Sequence, residues 1–183
     1  MGNCWQVTKA VFLDRDGVIN DCIVREQKPH PPDSVENVTI LPGVKNSLKQ
    51  LRQAGYLIIV VTNQPDISRG TTTLQKVEEI NIFLEQQLDI DAIYMCTHDD
   101  SDHCSCRKPN PGLLMQAGSD FNVELCKSYM VGDRWKDIAA GKAADCTTFF
   151  IDYNYAERQP RHLDYRVSSL EQAVDIILNE LEQ

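Results

Sequence analysis

The 183-residue sequence contains no apolar run long enough to cross a membrane, and it has fewer basic than acidic residues. A membrane-spanning helix needs about 18 or more consecutive apolar residues, and a secretory signal needs a continuous apolar core. We therefore expect a cytoplasmic protein without a membrane partner. The 18 Lys and Arg residues against 27 Asp and Glu residues leave a net charge of −9. This charge argues against nucleic acid as partner, although a small phosphorylated substrate is still compatible with it.

Internal repeats and low-complexity segments are also absent. With 42% hydrophobic and 25% charged residues, the composition is that of an ordinary globular protein. A chain of this length is long enough to bury a core and fits one domain. We expect a single domain over residues 1–183 and a monomer.

Cysteine, in contrast, is not scarce, since the chain has seven. An odd number without an export signal indicates reduced thiols rather than a disulfide framework. Three of the thiols cluster and are considered below. We expect the others to be packing residues; they are Cys4, Cys22, Cys126 and Cys146.

Short apolar runs alternate with amphipathic stretches along most of the chain. Strands are predicted at 11–13, 56–61, 92–95, 128–131, 147–151 and 165–167, and helices at 44–55, 73–88, 111–118, 135–144 and 170–181. This alternation predicts an α/β fold with a parallel sheet and helices on both faces. Residues 21–40 show little periodicity, and we expect a long loop that covers the carboxyl end of the sheet as a binding loop.

Two aspartates, Asp14 and Asp16, directly follow the first predicted strand. In an open α/β sheet the ligand crevice lies at the carboxyl ends of the strands. Two like charges placed there need a neutralising partner, and Mg²⁺ suits carboxylate oxygens. Asp133 follows the fourth predicted strand and would reach the same edge. The alternative is an ordinary turn, because aspartate and glycine are common turn formers.

Two further pairs of neighbouring residues could bind an anion. Thr62 and Asn63 end the second predicted strand, where a hydroxyl and backbone amides can bind phosphate oxygens or simply form a turn. Arg107 and Lys108 come after the thiol cluster and can bind and stabilise a phosphoryl group. Adjacent basic residues can also be a plain solvated surface.

A group of metal-ligand residues precedes Arg107. Cys96, His98, Cys104 and Cys106 supply three thiols and one imidazole, the donor set of a closed tetrahedral zinc site. Closed four-ligand coordination predicts a structural role over a loop at about 96–109. The alternatives are free thiols in a polar loop, or His103 in place of His98.

Four motifs follow one another in the order typical of the haloacid dehalogenase superfamily of phosphohydrolases, which this sequence resembles. They are Phe-Leu-Asp-Arg-Asp-Gly-Val-Ile-Asn from residue 12, Val-Thr-Asn-Gln from 61, Cys-Arg-Lys-Pro from 106 and Val-Gly-Asp-Arg-x-x-Asp from 131. The loop before Arg-Lys-Pro is similar to that of the heptose bisphosphate phosphatases and bacterial histidinol-phosphatases, and the match runs from about residue 7 to 155. The resemblance implies a Rossmann-like three-layer sandwich without a large cap domain.

The resemblance also implies a mechanism and a Mg²⁺ site. Asp14 would attack phosphorus to form an aspartyl-phosphate, while Asp16 would protonate the leaving oxygen and then activate water. Mg²⁺ would be held by Asp14, the backbone carbonyl of Asp16 and Asp133.

Four other positions would contact the substrate in this resemblance. Thr62 and Asn63 would bind the phosphoryl group, and Lys108 would neutralise its charge. Arg107 would contact the substrate beyond the reacting phosphate.

The resemblance leaves the substrate open. The run 67–70 and Asn20 favour a heptose bisphosphate, whose distal phosphate could be bound by Arg107 or Arg69. The spacing from His98 to Cys104 is equally compatible with a histidinol-phosphatase, and acidic side chains could then bind the ammonium and imidazole of histidinol phosphate. The available carboxylates are Asp99, Asp100 and Asp102. A non-catalytic zinc-stabilised binding module would require the four motifs to be coincidental.

Overall fold

The computed structural model describes residues 8–25 and 28–180. The elements are β1 (Ala10–Leu13), β2 (Ile23–Arg25), β3 (Lys28–His30), α1 (Val44–Gln53), β4 (Leu57–Asn63), α2 (Leu74–Gln87), β5 (Ala92–Cys96), α3 (Gly112–Asp120), β6 (Tyr129–Gly132), α4 (Trp135–Ala143), β7 (Thr147–Ile151), β8 (Tyr165–Val167) and α5 (Leu170–Glu180). Short 3₁₀ turns lie at Val35–Asn37, Asp100–Asp102 and Leu125–Lys127. Within the described ranges, no helix has the length and apolarity needed to cross a membrane.

Six strands form one parallel sheet in the order β5-β4-β1-β6-β7-β8. The central strand β1 is buried on both faces, which is why its sequence is continuously apolar. Its side chains alternate, so that Val11 and Leu13 pack in a core with α1, α2 and α5, whereas Ala10 and Phe12 pack in a second core with α3 and α4. The predicted three-layer α/β fold is confirmed.

The strand register aligns the ends of the three central strands. Leu13, the last residue of β1, lies opposite Val60 of β4 and Val131 of β6. The backbone N–H of Asp14 then donates to the Val131 carbonyl at 3.0 Å. The residues that follow β1 and β6 and the last residues of β4 therefore meet at one edge of the sheet.

The segment at 21–40 is more ordered than we predicted. It contains an antiparallel hairpin of β2 and β3, in which Ile23 pairs with His30. A bridge between Asn20 and Ile40 closes the base of the segment. The prediction of a loop without secondary structure was wrong because three-residue strands are too short to show a periodicity. Its predicted position is confirmed, since His30 and Pro31 line the cavity at the sheet edge.

The cysteines outside the cluster differ in their surroundings. Cys146 is buried, as expected of a packing residue, whereas Cys22 is partly exposed. Cys126 is exposed, so a packing role for it is wrong. Cys4 lies outside the described residues. All cysteines in the described ranges are free thiols, in agreement with the prediction.

Candidate active site

Three aspartates meet where β1 and β6 end. Asp14 directly follows β1, Asp133 directly follows β6, and Asp137 lies in the first turn of α4. Each places a carboxylate oxygen within 4.8 Å of the other two. All three residues are at most 7% exposed. A buried group of like charges with oxygen donors fits a hard divalent cation such as Mg²⁺.

Asp133 gives the clearest sign that this group binds a cation. Among the described residues, no hydrogen-bond donor reaches either of its buried carboxylate oxygens. Leaving a buried polar group unpaired costs about 1–3 kcal/mol, and a charged group costs more. Gly17 makes the approach possible, because a Cβ at this position would lie 2.1 Å from Asp133 Oδ2. Its φ of +85° also suits glycine.

Lys108 is the positive charge inside this group. Its ammonium lies 2.9 Å from Asp14 Oδ1 and 2.6 Å from Asp137 Oδ1. It also donates to the Val61 carbonyl at 2.7 Å. Burial alone would lower the pKa of Lys108, but Asp137 and Asp14 outweigh it, and the net pKa shift is upward. A charged ammonium therefore offsets one of the three carboxylates and leaves an excess of negative charge.

The pKa values of the aspartates reflect this excess. Burial raises the pKa of Asp14 to about 6, although Lys108 opposes the shift. Burial also raises the pKa of Asp133 well above its usual range, and Asp14 adds to the effect. A bound cation would reverse both shifts because it favours the charged carboxylates.

Asp137 has two partners that fix it. Its Oδ2 accepts from the backbone N–H of Arg134, as the acid in the first turn of a helix does. Its Oδ1 binds Lys108. One carboxylate thus caps the helix and pairs with Lys108.

Asp16 lies beside this group but points to a different set of partners. Its carboxylate accepts from Arg15, from Asn20 Nδ2 at 2.9 Å and from Gln64 Nε2 at 2.8 Å. The side chain is 14% exposed and lines the cavity. Neither Arg15 nor Gln64 was predicted as a site residue. The sequence does not show that Gln64, 48 positions from Asp16, donates to its carboxylate, or that the guanidinium of Arg15 turns onto the carboxylate of its neighbour.

Thr62 and Asn63 lie at the end of β4, next to the aspartates. Thr62 is 1% exposed and its hydroxyl accepts from Gln64 Nε2 at 2.9 Å. Asn63 exchanges two hydrogen bonds with the backbone of Lys108: its Oδ1 accepts from the N–H at 3.1 Å, and its Nδ2 donates to the carbonyl at 3.0 Å. The side chain of Asn63 therefore positions Lys108, while both residues also line the cavity.

The predicted zinc ligands converge just beyond the end of β5. The Sγ atoms of Cys96, Cys104 and Cys106 lie 3.2–3.7 Å apart, and His98 Nδ1 is 3.3 Å from Cys106 Sγ. These separations are those of the edges of a tetrahedron with metal–ligand bonds of about 2.0–2.3 Å. His103 is exposed and lies outside this cluster. The four residues therefore fit a structural zinc ion.

The loop that carries these ligands also forms part of the cavity rim. Arg107 is 7% exposed and donates from Nε to Asp100 Oδ1 at 2.8 Å and from Nη1 to the His98 carbonyl at 3.2 Å. Lys136 of α4 donates to the same Asp100 oxygen at 3.0 Å. Arg107 and then Lys136 hold the pKa of Asp100 well below its usual range. Two cations are thus drawn together by one carboxylate.

The other acidic side chains of this loop are also engaged. Asp99 accepts from Arg69 Nε at 2.9 Å and Nη2 at 2.6 Å. Asp102 accepts from the backbone N–H of Asp99 at 2.8 Å. Each of the three carboxylates considered for a cationic substrate therefore already has a partner within the protein.

The aspartates and the rim enclose a cavity of about 270 Å³. Its floor is formed by the aspartates, Thr62 and Lys108, and its rim carries four cationic side chains. These are Arg69, Arg107, Arg134 and Lys136. The size is near that of a small-molecule site, and the composition suits a small anion bearing more than one negative group.

Comparison with known families is consistent with this arrangement. A model of the haloacid dehalogenase-like hydrolases matches residues 23–145. A D-glycero-beta-D-manno-heptose-1,7-bisphosphate 7-phosphatase of Haemophilus ducreyi is 36% identical over 152 residues, which are 76% of this chain and 80% of that protein. The Helicobacter pylori enzyme of the same name is 37% identical over 140 residues, or 73% of this chain and 77% of that protein.

Solved structures give the same result. The D,D-heptose 1,7-bisphosphate phosphatase of B. bronchiseptica, complexed with magnesium and phosphate, has a TM-score of 0.83 at 27% identity over 94% of this chain and 99% of that chain. A HAD-like phosphatase of Mesorhizobium loti has a TM-score of 0.76 at 26% identity, over 96% of this chain and 88% of that chain.

Proposed function

The chain belongs to the haloacid dehalogenase-like hydrolases, and from this premise we propose that it is a Mg²⁺-dependent phosphatase that removes the 7-phosphate of D-glycero-beta-D-manno-heptose 1,7-bisphosphate. The observation that carries the proposal is the buried cluster at the ends of β1 and β6, in which both oxygens of Asp133 lack a donor among the described residues. The curated relatives named above support the choice of substrate.

Asp14 is the proposed nucleophile. Lys108 and the backbone N–H of Arg15 both bind its Oδ1, at 2.9 and 2.8 Å. We therefore assign the attack on phosphorus to Oδ2, which forms an aspartyl-phosphate while the bond to the sugar oxygen breaks. Asp16 donates a proton to that oxygen and then takes one from the water that hydrolyses the intermediate.

The other floor residues bind the phosphoryl group. The hydroxyl of Thr62 can donate to one of its oxygens, because Thr62 already accepts from Gln64. Lys108 stabilises the charge that spreads over the phosphoryl oxygens, and Asn63 holds its backbone in place. Asp14, Asp133 and the backbone carbonyl of Asp16 are the proposed ligands of Mg²⁺, with Asp137 next to them. When bound, Mg²⁺ would orient the phosphate and neutralise part of its charge.

The rim provides the argument for a bisphosphate. Arg107 and Lys136 both donate to Asp100, so a cation pair already converges on one anionic group. A distal phosphate offers three oxygens to the same pair and would displace the largely exposed Asp100 carboxylate. Zinc at Cys96 and its three partner ligands would hold this loop, because it has little core of its own.

Histidinol phosphate fits the rim less well. Its ammonium and imidazole would require free carboxylates, but Asp99 and Asp100 are ion-paired and Asp102 caps the backbone of the loop. Binding the ammonium at Asp99 or Asp100 would leave Arg69 or Arg107 without its carboxylate partner.

The test is to compare kcat/KM for the heptose bisphosphate and for histidinol phosphate in the presence of Mg²⁺. One charged hydrogen bond contributes about 1.5–3 kcal/mol, so we expect the bisphosphate to be preferred by at least about tenfold. EDTA should abolish turnover, and added Mg²⁺ should restore it. Preference for histidinol phosphate, or full activity in EDTA, would contradict the proposal.

We also infer a monomeric enzyme, since all the proposed catalytic groups come from one chain, and a cytoplasmic one, as the sequence leads us to expect. Light scattering coupled to size exclusion would test the first part, and fractionation of cells that produce the protein would test the second.

A further inference from the structure

Arg15 is a buried charge for which the proposed chemistry has no use. It lies between Asp14 and Asp16 in the sequence, and it is 0% exposed. A guanidinium removed from water needs partners for its donors. It finds them in two places: Nη1 donates to Asn81 Oδ1 at 2.9 Å, and Nε and Nη2 donate to the carboxylate of Asp16 at 3.0–3.2 Å.

Asn81 brings a distant element into the site. It lies in the middle of α2, and α2 packs through Ile80 and Leu84 into the core beneath β1. The contact with Arg15 spans 66 positions in the sequence. Arg15 is therefore fixed at one side by a helix that contributes no residue to the proposed chemistry.

Asp16 is held from three directions. Arg15 covers one side of its carboxylate, Asn20 donates to Oδ1, and Gln64 donates to Oδ2. Gln64 donates to Thr62 as well, so it links the acid to a phosphate-binding hydroxyl. The side chain of Asp16 keeps 14% exposure, and that open side lines the cavity.

We propose that Arg15, anchored by Asn81, is a positioning residue that keeps the carboxylate of Asp16 facing the cavity at the depth of the leaving oxygen. The inference rests on the proposed function, in which Asp16 transfers the proton. A proton donor has to lie within hydrogen-bond reach of the leaving oxygen, and small displacements of such a group cost much of its effect. The donors from Arg15 restrict rotation of the carboxylate, and Asn81 restricts Arg15.

Leaving groups of different basicity separate positioning from a general structural role. An alkyl phosphate such as the heptose bisphosphate releases a basic alkoxide that needs the proton from Asp16. 4-Nitrophenyl phosphate releases a stable phenolate that does not. Since kcat/KM reports the steps up to loss of the leaving group, a misplaced Asp16 should lower it for the first substrate much more than for the second.

Three variants test the inference. Arg15→Met removes the guanidinium at similar length, and we expect kcat/KM for the bisphosphate to fall by about 10–100-fold, with less than about threefold loss for 4-nitrophenyl phosphate. Asn81→Ala removes only the anchor, lies outside the cavity, and should give the same pattern at about 3–10-fold. Asn81→Asp keeps an acceptor for Arg15 and should stay close to the parent protein.

Asp16→Asn distinguishes failure of the inference from failure of the proposed function. If Asp16→Asn loses activity on both substrates equally, the proposed role of Asp16 as acid is wrong. If Asp16→Asn shows the selective loss but Arg15→Met and Asn81→Ala lose activity on both substrates equally, the positioning inference alone is overturned. Selective loss in Asp16→Asn, Arg15→Met and Asn81→Ala supports it, and thermal unfolding of Asn81→Ala close to that of the parent excludes a folding defect.

Discussion

The floor and the rim of the cavity are held in place by different means. The floor consists of Asp14, Thr62, Lys108, Asp133 and Asp137, all at most 7% exposed. Three of them are aspartates placed by strand ends or by the first turn of a helix. The rim carries Arg69, Arg107, Arg134 and Lys136, which form ion pairs with Asp99, Asp100 and Glu157. The side chain of Asp100 in these pairs is 64% exposed.

This difference separates the two tasks of the proposed enzyme. Strand register fixes the aspartates of the floor, and a change of one ångström there would require the sheet to move. The rim depends on a short loop that the cysteine cluster holds together, so it can vary without disturbing the sheet. We infer that the floor carries out phosphoryl transfer and that the rim selects the substrate.

The largest expected effect is on the floor. Asp14→Asn removes the attacking charge but keeps the shape, so kcat should fall by at least about 10³-fold for every phosphate ester. Circular dichroism and thermal unfolding should show a fold at least as stable as the parent, because one of three crowded negative charges is gone. A variant that retains its rate would eliminate Asp14 as nucleophile.

The next largest effect is expected at the proposed zinc site. Cys106→Ser should lose the metal found in the freshly purified parent protein and lower the free energy of unfolding by about 4 kcal/mol, since binding energy of a structural metal is folding energy. Turnover of the heptose bisphosphate should fall as Arg107 is released. Cys126→Ser changes an exposed cysteine outside the cluster and serves as the matched control. Parent protein that contains no zinc yet is fully active would refute the assignment.

Arg107→Ala should affect recognition and leave the chemistry intact. Losing one charged hydrogen bond to the distal phosphate costs about 1.5–3 kcal/mol, which is about 10–150-fold in kcat/KM for the bisphosphate. 4-Nitrophenyl phosphate has no distal phosphate, and its kcat/KM should change by less than about threefold. Equal losses for both substrates would mean that Arg107 contributes to the floor.

The smallest effect is expected at Arg69. Its guanidinium pairs with Asp99 and Asp66 at the outer rim, with 43% of the side chain exposed. Exposed ion pairs contribute little, so Arg69→Ala should lower kcat/KM for the bisphosphate by less than about threefold. Steady-state kinetics alongside Arg107→Ala decides this, and a loss as large as that of Arg107→Ala would assign the distal phosphate to Arg69 as well.

Much of the floor was predictable from the sequence because its residues lie at or directly after the ends of predicted strands. The apolar runs at β1, β4 and β6 mark the strands, and parallel strands place the following residues at one edge. Asp14, Asp133 and Thr62 meet there, as this logic requires. The convergence of Cys96, His98, Cys104 and Cys106 was predictable for a different reason, since all four lie within eleven consecutive positions.

The remaining parts depend on contacts between distant positions. The pairing of Arg15 with Asn81 needs the packing of α2 against the sheet, and the pairing of Lys136 with Asp100 needs the zinc loop to lie over α4. Neither contact leaves a pattern in the sequence. The hairpin of β2 and β3 was missed because strands of three residues have no detectable period.

The proposed mechanism depends most on Asp14 as the group that receives the phosphate. The direct measurement is a single turnover of the heptose bisphosphate with Mg²⁺, quenched in acid within milliseconds, followed by mass spectrometry of the peptide that contains Asp14. We predict a phosphoryl adduct on Asp14 that appears before free phosphate and is absent in Asp14→Asn. Release of phosphate without any adduct on that peptide, at full rate in Asp14→Asn, would contradict the account.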